Sequence, residues 1–69
     1  MDEIAAELDA IAERILDRSL DLLRTATESE PAERDRLVDV EKRLTRARRS
    51  VEKAAALLRG DQPGGTVDP

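Results

Sequence analysis

The chain has 69 residues, 41% of them charged, a formal net charge of −4, and no cysteine, histidine or aromatic residue. That length supports one small domain, whose own core rarely contributes more than ~3–5 kcal/mol. A disulfide framework, a thiolate metal site and a histidine base are all excluded, which leaves oligomerisation as the remaining way to reinforce so small a fold.

The first ten residues, MDEIAAELDA, are acidic, with no basic n-region and no apolar h-region, so they do not read as a signal peptide. The longest apolar run, Ala54 to Leu58, is far short of the ~20 residues needed to cross a bilayer. The expectation is a cytoplasmic protein with no membrane partner.

Helical spacing begins at once. Ile4, Leu8, Ile11, Ile15, Ser19, Leu22 and Ala26 recur at steps of three and four, which predicts an amphipathic helix over 2–28. Asp2 and Glu3 suit the positive end of its dipole. The three-four alternation skips once, between Ile15 and Ser19, which reads as a stutter. A turn is expected at 29–30. Pro31 then opens a second helix, because proline is tolerated where an N–H would be unpaired anyway.

The second helix is predicted over 31–59, with a stricter stripe of Leu37, Val40, Leu44, Ala47, Val51, Ala54 and Leu58. Gly60 reads as its left-handed cap. Residues 1–60 thus form one hairpin unit, and 61–69, DQPGGTVDP, read as a disordered tail.

The two stripes match when the chain folds back at Pro31. Ile4 then meets Leu58, Leu8 meets Ala54 and Ile11 meets Val51, all pairs whose numbers total 62. Charge agrees: residues 1–30 carry nine acids and three bases, and residues 31–60 carry five acids and nine bases. The predicted fold is all-α, an antiparallel two-helix hairpin of coiled-coil type.

Helix 1 has more apolar surface than one neighbour covers. Ala12, Leu16, Leu20 and Leu23 form a flank beside the main stripe. A second copy would cover it, so the sequence predicts a homodimeric four-helix bundle with these residues at the interface.

Two charged ridges remain. Lys42, Arg46, Arg49 and Lys53 fall on one strip of helix 2 opposite Leu44. Asp9, Glu13, Asp17 and Asp21 recur every four residues on helix 1. A carboxylate row could hold a hard cation, but the far commoner reading is a solvated face. The serines have no histidine to activate them, and all three glycines lie at or beyond position 60, outside any phosphate-binding loop. No catalytic, cofactor or metal residue is therefore expected. The function predicted is that of a non-enzymatic protein-interaction module or accessory subunit. A nucleic-acid regulator is the alternative, working by phosphate contact, since no aromatic residue exists for bases to stack on. In length and hairpin architecture the chain is similar to the Rop-type plasmid copy-number regulators, which dimerise and bind paired RNA loops. It shares no motif with them, and the resemblance transfers no residue roles.

Overall fold

The computed structural model describes residues 2–60; the tail expected at 61–69 lies outside the described residues. Two helices make up the fold, α1 at Asp2–Ala26 and α2 at Pro31–Leu58. They pack antiparallel as a hairpin. The Cα atoms span 49 × 27 × 11 Å, so the hairpin is a single helix layer thick.

Helix α1 stops at Ala26 rather than 28 because its last four carbonyls are all claimed by the turn. Thr27 N–H donates to Leu23 O (3.2 Å), Glu28 N–H to Thr25 O (3.0 Å) and Ser29 N–H to Ala26 O (3.1 Å). The Thr27 hydroxyl donates to Arg24 O and the Ser29 hydroxyl to Thr25 O, both at 2.7 Å. Side-chain hydroxyls of this kind compete with continued helix.

Arg34 then staples the turn from the far side. Its Nε donates to Ala26 O and its Nη2 to Ser29 O, each at 3.1 Å. Glu30 is the N-cap of α2 in extended conformation, without a side-chain cap, and Pro31 occupies the first turn. At the other end Gly60 takes φ +88°, and its N–H donates to Leu57 O at 3.1 Å. The left-handed cap expected there is present.

The seam between the helices differs from the expected one. The buried residues of α1 are Ala5, Ala12, Ser19 and Ala26, spaced seven apart, and α2 buries Ala55. Half-buried Leu8, Ile15 and Leu22 interleave with the first set. Together they make an unbroken three-four alternation, so there is no stutter. Ile4 and Ile11, expected in the core, are 51% and 40% exposed. The register shifts accordingly: Arg34 bonds Ala26, and Ala12 shares a cleft with Arg48. The physical reason is size. Small residues on the contact line let two helices approach closely along their length, and the bulky aliphatics then splay to either side.

The consequence is a hairpin in which none of the described large side chains is fully buried. Ile4, Ile11, Leu16, Leu20, Leu23, Val40 and Leu57 are all 39–55% exposed.

Candidate interaction surfaces

Heptad geometry sorts these exposed aliphatics onto two sides of the seam. Leu16 and Leu23 lie four residues beyond Ala12 and Ser19, on the side of the small column. Ile4 and Ile11 lie four residues before Leu8 and Ile15, on the side of the large column. Two surface clefts confirm the division. One is lined by Asp9, Ala12, Glu13, Leu16, Arg48 and Glu52. The other is lined by Ile11, Arg14, Ile15, Arg18 and Leu44.

The leucine side is laced with polar pairs. Arg48 Nη1 donates to Glu52 Oε2 at 3.0 Å, and the Thr45 hydroxyl to Glu41 Oε2 at 2.7 Å. Arg59 Nη2 reaches across the helices to Asp9 Oδ2 at 2.6 Å. Beneath them, Ser19 Oγ and Arg48 Nε are buried without a hydrogen-bond partner.

The interface expected from the sequence divides. Leu16, Leu20 and Leu23 are exposed at 39%, 49% and 40%, but Ala12 is 4% exposed and belongs to the seam within the hairpin. A residue packed against α2 is not free to meet a second molecule.

The acidic ridge is not one face. Each four-residue step on an α-helix turns the row by about 40°, so Asp9 stands beside α2 while Asp21 has moved round toward the opposite side. Asp9 is engaged by Arg59, and Asp21 lies 3.5 Å from Arg24. Glu13 and Asp17 are exposed and make no ion pair or hydrogen bond. No group of three or more potential metal ligands converges among the described residues.

The basic ridge holds together better, since its steps of four, three and four cancel the drift. Lys42, Arg46, Arg49 and Lys53 are all exposed, and none makes an ion pair or hydrogen bond. Lys42, Arg46 and Arg49 line a shallow concavity with Glu41 and Thr45. Arg48, inside the same basic run, is instead turned into the seam and pairs with its own helix.

No helix of the described chain is long and apolar enough to cross a membrane. Compared with known proteins, the chain matches no family model, no curated protein and no solved structure.

Proposed function

We propose that this hairpin is a non-catalytic interaction module, cytoplasmic, that self-associates as a homodimeric four-helix bundle and engages a further protein as a small accessory subunit would. One observation carries the reading. The hairpin fully buries no large side chain among those described, yet leaves seven large aliphatics 39–55% exposed on both sides of a single layer. Exposed apolar surface on that scale marks association sites. Helical hairpins commonly complete their cores by pairing.

Sedimentation equilibrium at micromolar concentration should give a mass of two chains, against 7.6 kDa for one. Capture from the native host with nuclease treatment and mass spectrometry should then return a protein that survives the nuclease. A folded monomer that captures nothing would end this reading.

A second reading is favoured by the basic ridge. Four exposed cations without ionic partners, Lys42, Arg46, Arg49 and Lys53, are arranged as phosphate-contacting residues would be. Changing all four to Gln should leave helicity intact, because exposed surface changes usually stay within ~0.5 kcal/mol. If duplex RNA is the ligand, wild-type binding should fall steeply with salt and the variant should lose it. If RNA binds neither form, the protein-partner reading stands alone.

A further inference from the structure

We infer that the occupant of the isoleucine side is a second copy of this chain, laid face to face so that α1 of each copy covers α2 of the other. This rests on the homodimer reading above and assigns the face and the orientation.

The two sides of the seam differ in their floor. On the leucine side the α2 column is Arg34, Glu41, Arg48 and Ala55, so a docking partner would have to desolvate charged groups already paired inside the hairpin. On the isoleucine side the α2 column is Leu37, Leu44, Val51 and Leu58, each half-buried, facing Leu8, Ile15 and Leu22. The rim adds Ile11, Val40, Ala47 and Leu57, all exposed, the half-buried Ala54, and the exposed Arg14 and Arg18 that line the cleft beside Ile11. Among the described residues two exposed ion pairs lie at that rim, Glu33 with Arg36 beside the turn and Asp21 with Arg24.

The face is large enough. A helix of 25 residues is roughly 37 Å long, and two helices side by side are roughly 20 Å wide, so one face offers on the order of 700 Å². A stable interface buries about 800 Å² per partner.

The overall charge of each helix favours one orientation. Helix α1 carries seven acids and three arginines, and α2 carries five acids and eight bases. A two-fold axis along the rod sets each acidic helix between two basic ones. An axis across the rod stacks α1 on α1 and α2 on α2, which opposes like charges. The long axis also keeps every residue at its own height. The Arg34–Ala26 hydrogen bond and the cleft shared by Ala12 and Arg48 set which heights on the two helices correspond. Continued at equal rise along both helices, that register brings Arg43 within roughly one turn of Asp21 on the second copy. Arg43 makes no ion pair within its own hairpin.

The full chain tests this by sedimentation and crosslinking. Ala47→Arg should reduce the sedimenting mass from two chains to one while far-UV helicity at matched concentration reports folding. Ala47 is exposed in the hairpin, so the change leaves the hairpin's own seam untouched. Leu20→Arg, on the other side, should remain a dimer. Separately, mixing Ile11→Cys with Ala47→Cys should give the mixed disulfide in preference to either self-disulfide, because residues 11 and 47 lie within about two residues of the same height on helices that would touch.

A dimer lost in Leu20→Arg but kept in Ala47→Arg would overturn the face and leave the homodimer reading intact. Dominant Ile11→Cys self-disulfide would overturn the orientation. A wild-type monomer would overturn both this inference and the homodimer reading.

Discussion

The leucine and isoleucine sides of the hairpin are built from the same two helices, yet the floor of one is polar and paired within the hairpin and the floor of the other is aliphatic. On the leucine side, small residues of α1 bring the helices close, and long polar residues of α2 lie over them. Those polar groups find partners at short range: Arg48 with Glu52, Thr45 with Glu41, Arg34 with the turn carbonyls. On the isoleucine side both helices contribute aliphatic columns, and no side-chain hydrogen bond crosses between them among the described residues. A polar pair can be satisfied within one layer. An aliphatic column can be satisfied only by something that excludes water, and a single layer has nothing left to supply it.

The small column is what sets the two sides apart, so enlarging it should have the largest effect. Ala12 is 4% exposed against α2. Ala12→Leu would force extra methylenes into a closed contact, and overpacking of this kind typically costs ~1–3 kcal/mol. The melting temperature, followed by circular dichroism at fixed concentration, should fall by about 4–24 °C on the ~4–8 °C per kcal/mol expected for a domain of this size. An unchanged melt would mean the helices are not in close contact at Ala12, and the difference between the sides would lose its cause.

The second test runs in the opposite direction. Ser19 continues the alanine column but is 3% exposed, with a buried hydroxyl that has no partner. A buried unpaired polar group costs ~1–3 kcal/mol, and alanine is also the better helix former. Ser19→Ala should therefore raise stability by about 1 kcal/mol, which is roughly 4–8 °C in melting temperature. A lower melt would show that the hydroxyl does have a partner, such as a bound water, and that the leucine side depends on it.

These two positions also show where the sequence could be read and where it could not. Both helix starts and the end of α2 were legible because they rest on local chemistry: Asp2 and Glu3 at one dipole end, Pro31 in a first turn, and Gly60, with its positive φ, as the closing cap. The end of α1 was missed by two residues because the Thr27 and Ser29 hydroxyls turn back onto carbonyls, a choice that helical periodicity does not register. The seam was misread for a related reason. A search for bulky apolar residues at helical spacing selects Ile4 and Ile11, one position before the alanines that make contact. The signal that would have found the true line was present, in the seven-residue spacing of Ala5, Ala12, Ser19 and Ala26. The acidic ridge failed differently: a row spaced by four looks like one face in sequence but winds around the helix in space. The basic ridge, spaced four, three and four, was legible as a strip for the same geometric reason.

The smallest effect expected concerns the ion pair that closes the leucine side at the open end. Arg59 Nη2 lies 2.6 Å from Asp9 Oδ2, joining residues fifty positions apart. Good geometry alone would suggest a strong link. The two side chains, however, remain 37% and 49% exposed, and exposed pairs typically contribute ~0–1 kcal/mol. Asp9→Asn keeps an acceptor for Arg59 and removes only the charge. It should cost about 0.5 kcal/mol at low ionic strength. Near 1 M salt, where the Debye length shrinks to ~3 Å, the difference from wild type should nearly vanish. The measurement separates the two sides. A salt-resistant cost of 2 kcal/mol or more would mean that Asp9 and Arg59 are shielded from solvent in the associated protein. The covering copy would then lie on the leucine side, and the isoleucine side would be the one left open to water.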